Sequence, residues 1–194
     1  MRSCNNCCFV LAIAAGLCAG SPAIARAQFV FVGEYIDFTL TDSVFHVAAV
    51  YRFANAGAAL STRRISYPFK DDVKEIRRIV IVDVRTGMNI PFEPGGNMVV
   101  FPLTIMGNDS ADVLVRYEQQ IRKDNVYLLT TTQQWGAPLR YALYTLTASS
   151  KLSIAGFSYE PDRWEETPTM KKYSWTKADF LPLKDFVVTL KEGK

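Results

Sequence analysis

The sequence predicts an all-β chain: an antiparallel, immunoglobulin-like β-sandwich forming a single domain after an N-terminal signal peptide. Three observations predict it. Apolar and polar residues alternate with period two in one stretch after another, the mark of strands with one wet face. Phe45, Val47, Ala49, Tyr51 and Phe53 oppose His46 and Arg52, and Val113, Val115, Tyr117 and Ile121 oppose Asp112, Arg116, Glu118 and Gln120. Gly, Pro, Asn and Asp punctuate these runs at short, regular spacing, as in sandwiches and barrels. Beyond residue 27 no helical period of useful length and no internal repeat occurs.

The elements follow in order. Gln28 to Val32 is apolar, and Ile36, Phe38 and Leu40 share one side of the next run. Thr41-Asp42-Ser43 turns the chain into Val44 to Phe53, and Asn55-Ala56-Gly57 turns it again into a weaker strand, Ala59 to Tyr67. Pro68 with Lys70-Asp71-Asp72 stops that strand. Ile76 to Val84 is the most β-branched run and reads as a buried strand. Met88 to Phe92 and Met98 to Ile105 flank the turn Glu93-Pro94-Gly95-Gly96-Asn97. From Asp112 to Thr147 three extended segments succeed one another and read as a central β-meander. Its second segment is Val126 to Thr132, after a turn at Lys123-Asp124-Asn125. Its third is Leu139, Tyr141, Leu143 and Thr145 in step, after Trp135-Gly136-Ala137-Pro138. Leu152 to Tyr159 is one more strand, Glu160 to Met170 a polar surface excursion, and Tyr173 to Leu183 an irregular aromatic stretch. Asp185 to Leu190 closes the chain, and the tail from Lys191 reads as frayed.

The first 27 residues stand apart from this pattern. Arg2, the apolar run Phe9 to Leu17 and the small-x-small Ala25-Arg26-Ala27 have the three-part layout of a secretory signal peptide, with cleavage before Gln28 or before Arg26. Residues 28–194 then form the domain. Leu17 is bulky where a lipobox ahead of Cys18 needs a small residue, which argues against a lipid anchor. Cys4, Cys7, Cys8 and Cys18 all lie inside the segment, so the domain has no thiol for disulfides, zinc or nucleophilic catalysis. Of 22 basic and 19 acidic residues, all but Arg2 and Arg26 fall after it, in scattered pairs such as Arg63-Arg64 and Arg77-Arg78. That balance argues against nucleic acid and against strong attraction to anionic lipid, and no later apolar run is long enough for a transmembrane segment.

Reactive constellations are scarce. The single histidine, His46, sits mid-strand on the face opposite Phe45 and Val47, and no G-x-S-x-G elbow occurs. Without a second histidine or a cysteine, a zinc or iron site is not expected, nor is any cofactor. The carboxylate clusters Asp71-Asp72, Glu160-Asp162 and Glu165-Glu166 fall in hydrophilic turns, where solvated charge is the ordinary state. Asn108, Asp109 and Asp112 offer oxygens suited to calcium but lack EF-hand spacing and read as a polar hairpin turn. Trp135, beside Gly136 and Pro138, and Trp175, between Tyr173 and Phe180, read as core. Trp164, among Asp162, Arg163, Glu165 and Glu166, is either an exposed anchor for sugar rings or a protein partner, or a ring folded back over the sheet edge.

Laid out this way, Val50-Tyr51-Arg52-Phe53-Ala54-Asn55 followed by Ile65-Ser66-Tyr67-Pro68-Phe69 resembles the opening of exported bacterial β-sandwich domains of unknown function, with their Y-x-F-x-N strand and F-P stop. Val115-Arg116-Tyr117, Tyr127-Leu128-Leu129-Thr130-Thr131, Trp135, Ala137-Pro138-Leu139, Tyr173-Ser174-Trp175-Thr176, Phe180-Leu181-Pro182 and Asp185-Phe186 are similar to the rest of that pattern; a glycine-rich opening is missing. The resemblance implies a periplasmic or cell-surface sandwich and transfers no catalytic residue.

The functional expectation is an exported, non-enzymatic protein of the cell envelope that binds or assembles through end loops, Glu160 to Met170 and Gln133 to Pro138. Its partner would be an envelope protein or a glycan, and its candidate contacts are Arg163, Trp164 and Glu165 in one loop with Trp135 and Tyr144 near the other. The alternatives are a carrier of an apolar small ligand between faces such as Phe45, Val47 and Tyr51, and a hydrolase using carboxylates.

Overall fold

The computed structural model describes residues 29–191; the expected signal segment and the last three residues lie outside the described residues. Thirteen strands follow in order: β1 (Phe29–Leu40), β2 (Val44–Asn55), β3 (Ser61–Pro68), β4 (Arg77–Asp83), β5 (Glu93–Gly95), β6 (Met98–Ile105), β7 (Asp109–Gln120), β8 (Asp124–Tyr127), β9 (Leu139–Ser149), β10 (Ile154–Phe157), β11 (Arg163–Glu166), β12 (Met170–Phe180) and β13 (Phe186–Leu190). Two short 3₁₀ turns, Val73–Glu75 and Thr130–Trp135, interrupt them. The all-β expectation holds.

One sheet of seven strands, in the order β11-β12-β9-β1-β2-β7-β4, carries most of the strand residues among those described. Its seed is the β1–β2 hairpin, paired from Phe29↔Asn55 to Leu40↔Phe45. Thr41 closes this hairpin: its Oγ1 accepts from the Val44 amide at 3.1 Å, and its own amide donates to the Val44 carbonyl at 3.0 Å. Two three-stranded sheets, β3-β6-β5 and β10-β13-β8, cover the inner face. Their contacts show the layering. Tyr51 of β2 meets Tyr67 of β3 edge-on at 5.6 Å, and Phe38 of β1 stacks on Phe186 of β13 at 4.6 Å. Trp175 of β12 meets the same Phe186 edge-on at 5.0 Å. The buried residues of all three sheets form one hydrophobic cluster.

Several expectations need correction. Not every pair is antiparallel: β1 and β9 run parallel, Gly33↔Tyr141 to Leu40↔Ala148, which the roughly hundred intervening residues permit. The meander does not form, because its three segments go to different places. β7 pairs with β2 and β4, β9 with β1 and β12, and β8 leaves the large sheet to pair with β13. Strand β8 begins at Asp124, where a turn was expected, and Thr130–Trp135 is a 3₁₀ turn. In β9 Leu139 is buried as expected, but from Ala142 on the buried set is Ala142, Tyr144, Leu146 and Ala148, the opposite parity to that expected. Tyr141 instead lies over Gly33, where a β-carbon would come within 2.6 Å of the Tyr141 carbonyl oxygen.

The β-branched run is β4, an edge strand in which only Ile81 is fully buried, since it has a strand neighbour on one side alone and only the isolated Val82↔Asn89 bridge on the other. The aromatic stretch after residue 170 is not irregular. It is β12, eleven residues long and second from the sheet's edge, with Trp175 buried and its indole N–H donating to the Tyr159 carbonyl at 2.9 Å.

The Y-x-F-x-N strand has a physical reading. Tyr51 and Phe53 point inward, and Asn55 at the end of β2 is buried. Its Nδ2 donates to the carbonyls of Ala59, Ile105 and Met106 at 2.8, 3.1 and 3.1 Å, and its Oδ1 accepts from the Gly57 amide at 3.0 Å. One side chain thus ties β2 to the β6–β7 connection and satisfies backbone groups that no ladder reaches. Gly107 sits in that connection, where a β-carbon would lie 1.9 Å from the Ala58 carbonyl oxygen.

Candidate functional site

The site begins with a phase change in β1. Phe29 and Phe31 are buried, as are Ile36, Phe38 and Leu40, so the inward set switches from odd to even positions. A β-bulge makes the switch: the register jumps between Phe31↔Phe53 and Gly33↔Arg52. The added residue turns Glu34 inward, with 1% of its surface exposed, in line with the apolar residues that follow. The sequence carries that signal, since Phe29/Phe31 and Ile36/Phe38/Leu40 cannot share one face without a bulge between them.

A buried carboxyl needs partners. Tyr144, inward on β9, donates its hydroxyl to Glu34 Oε1 at 2.6 Å, the one hydrogen-bond partner of this carboxyl among the described residues. Desolvation pushes Glu34 up from its ordinary 4.5 to about 7, and the Tyr144 bond only partly opposes it. Beside it three phenols form a chain. Tyr51 Oη lies 2.8 Å from Tyr67 Oη and 2.5 Å from Tyr127 Oη. Burial raises all three phenols well above the ordinary range, so they stay neutral.

These groups line a cavity of about 60 Å³, together with Phe31, Phe53, Ile65, Phe101 and Trp135. Its origin is topological. The two covering sheets are separate, and the seam between β3-β6-β5 and β10-β13-β8 leaves part of β1 and β2 uncovered by any strand. The 3₁₀ turn Thr130–Trp135 supplies Thr131, Thr132 and Trp135 to the cavity wall. That turn is held firmly. The Thr130 amide and hydroxyl both donate to Asp185 Oδ1, at 3.0 and 2.7 Å, and Gln133 Nε2 donates to the Pro182 carbonyl at 2.6 Å. Gly136 ends it at φ +71°, a conformation glycine adopts without penalty. Trp135 packs against Phe31 and Phe53 with ring centroids 5.7 and 5.3 Å away. Exposed Ser66 and half-buried Trp135 mark the outer end, where a second hollow runs along Arg63, Arg64 and Gln134.

The five residues named from sequence divide between two places. Trp135 lines the cavity, and Tyr144 reaches it through Glu34. Arg163, Trp164 and Glu165 lie on β11, the opposite edge of the large sheet from β4, so the expected excursion contains a strand. Trp164 is 66% exposed, across from Tyr173 on β12, and is not folded into the core. Of the faces expected to line a hollow, Phe45 and Val47 are core filling, and Tyr51 alone reaches the cavity.

Several of the clustered carboxylates are engaged elsewhere. Asp71 and Glu75 pair with Arg122, Asp72 caps the Val73–Glu75 turn, and Asp162 holds the Thr176 amide and the Lys177 ammonium. Asp109 accepts two bonds from Arg85, which hold its carboxyl down to about 2, and Asp112 accepts two from Arg52. Among the described residues no group of three or more His, Cys, Asp or Glu could hold a metal ion, and no helix is long and apolar enough to cross a membrane. Sequence reasoning passed over Glu34, because it read β1 as two separate runs on either side of it.

Comparison with protein-family models and with curated protein sequences returns no match. Solved structures do match. A proposed nutrient-binding protein from Legionella pneumophila superposes with a TM-score of 0.63 at 12% identity, over 84% of this chain and 67% of that one. An M1 zinc metallopeptidase from Deinococcus radiodurans superposes with a TM-score of 0.53 at 10% identity, over 84% of this chain and 43% of that one. A mutant of that peptidase with a Tyr-Ser-Ala substrate gives 0.54 at 9% identity, over the same shares. The likeness is one of fold. This chain spans less than half the length of the peptidase, and the sequence identities carry no residue roles across.

Proposed function

We propose that the chain is an exported, non-enzymatic binding module of the cell envelope, and that its ligand enters the seam between the two covering sheets. One observation carries this reading: a preformed cavity whose wall combines several aromatic rings with a single buried carboxyl and three phenol hydroxyls. Small-ligand sites are built in this way, from an apolar enclosure with a few convergent polar groups. Trp135, within the Gln133 to Pro138 segment, belongs to the wall, in keeping with a role for an end loop. The proposed nutrient-binding role of the Legionella protein is in line with this, and export is supported by the layout of the first 27 residues. A hollow of about 60 Å³ is too small for an acyl chain and disfavours the carrier of a large apolar ligand. A carboxylate hydrolase needs a second acid beside the first, and none of the other wall residues is acidic.

Ligand-observed NMR against a panel of sugars, organic acids, amines, alcohols and amino acids tests the reading. Panel members should bind the native protein and be displaced in Ser66→Trp, which places a large ring at the exposed mouth without touching the core. A panel that never binds, or binds Ser66→Trp equally well, overturns it.

A second reading is assembly through the β11 edge, favoured by the exposure of Trp164 on an edge strand. A pull-down from envelope extract that loses its partner with Trp164→Ala supports it, and one unchanged by that substitution removes it.

A further inference from the structure

Resting on the binding reading above, we propose that the ligand of the seam cavity is a small ammonium, either the ammonium ion or a short primary or methylated amine. Its charge would sit between the Glu34 carboxylate and the faces of Phe31, Tyr51, Phe53 and Trp135.

Four observations converge on this class. Glu34 is the one acidic residue of the wall, and no lysine, arginine or histidine shares the wall with it. The groups that face it are phenols from three strands, Tyr144 on β9, Tyr51 on β2 and Tyr127 on β8. When Glu34 ionises, the cavity therefore gains a negative charge with no built-in counter-charge, so an anion is repelled and a cation stabilises the ionised form. The rings supply the second element. Phe31, Phe53 and Trp135 form a mutual triangle with centroid separations of 5.2, 5.7 and 5.3 Å, and Tyr51 joins it 5.8 Å from Phe31. Clustered aromatic faces beside a carboxylate are the surroundings that attract ammonium groups.

Donor and acceptor counting gives the third. The phenol chain Tyr67–Tyr51–Tyr127 uses only part of the lone pairs of its oxygens, and a carboxylate only accepts. An ammonium only donates, so it matches both. A divalent metal fits poorly, because it wants six or more oxygens, several of them charged. Size is the fourth: about 60 Å³ admits a few heavy atoms and nothing larger.

The test follows the Trp135 indole N–H by ¹H–¹⁵N NMR in the full chain, titrating methylammonium chloride, with potassium chloride and methanol as controls of equal charge and of similar size. Methylammonium should shift the indole saturably and the controls should not. Glu34→Gln should weaken it about tenfold or more, the usual loss when one partner of a buried charge pair is removed. Phe53→Leu, which keeps the volume apolar but removes a ring face, should weaken it severalfold. Because the free carboxyl titrates near 7, affinity should rise about tenfold between pH 6 and pH 8. Methanol binding as tightly as methylammonium, potassium binding as tightly, or full affinity in Glu34→Gln each overturns the ammonium assignment. If methylammonium fails while another compound binds in a Ser66→Trp-sensitive way, the ligand class is wrong and the binding reading stands. If nothing binds, both fall.

Discussion

Glu34 is held inside by geometry rather than by favourable solvation. The bulge at Phe31–Gly33 points it inward, and a carboxyl there is easier to keep protonated than charged. Its folded value of about 7 lies above the ordinary 4.5, so between those pH values the folded chain keeps a proton that the unfolded chain releases. The contribution of this group to stability is therefore fully present below about pH 4.5 and is lost as pH rises toward 7. The total is about 3 kcal/mol, from a shift of that size on a wholly buried group. Urea denaturation at pH 4.5, 6 and 8 should show this downward slope in the native protein and not in Glu34→Gln, whose amide does not titrate. Gly107 is a second single-residue constraint. Gly107→Ala forces a β-carbon onto the Ala58 carbonyl and should cost about 3 kcal/mol or more in the same assay, among the larger effects of a single substitution.

Strand β12 shows how an element escapes a pattern-based reading. Lys171, Lys172, Lys177 and Asp179 interrupt its apolar run, and Asp179 adopts φ +47°, so no clean alternation survives. Yet Trp175, its one fully buried residue, anchors it through Phe186, Phe157 and the Tyr159 carbonyl, with Tyr173 and Phe180 packed beside it. Trp175→Ala should cost about 3–5 kcal/mol, as for other buried tryptophans. Trp164→Ala, at the exposed edge one strand away, should leave the denaturation midpoint within about 0.5 kcal/mol of the native value. The strands β2 and β7 were legible because each keeps one face in water, and alternation records that directly, whereas in β1 the bulge broke the alternation into two runs. β4 and β9 were misread because a β-branched run, or one apolar on both faces, does not say which side is covered or whether a neighbour exists. Glu34 was readable in principle from the parity of five aromatic and aliphatic residues, but only once β1 is taken as a single strand.

At the scale of the molecule, what alternation could not report is which strands share a sheet. The chain places β8 between β7 and β9 in sequence and then sends it to the other layer, while β1 and β9 meet in parallel across about a hundred residues. Pairings of such long range are set by burial in the finished core, and no local signal carries them. The same partition creates the cavity, since two short sheets covering one long sheet leave a seam. The site is thus a property of topology first and of residue identity second. Trp135 was findable from its turn, whereas the phenols of Tyr51, Tyr67 and Tyr127, drawn from three strands in three sheets, were not.

The most direct check is a ¹³C NMR titration of the Glu34 side-chain carboxyl carbon in the native chain. A midpoint near 7, falling when methylammonium is added, is the predicted result. A midpoint near 4.5, insensitive to methylammonium, would place this carboxyl in water and contradict the account.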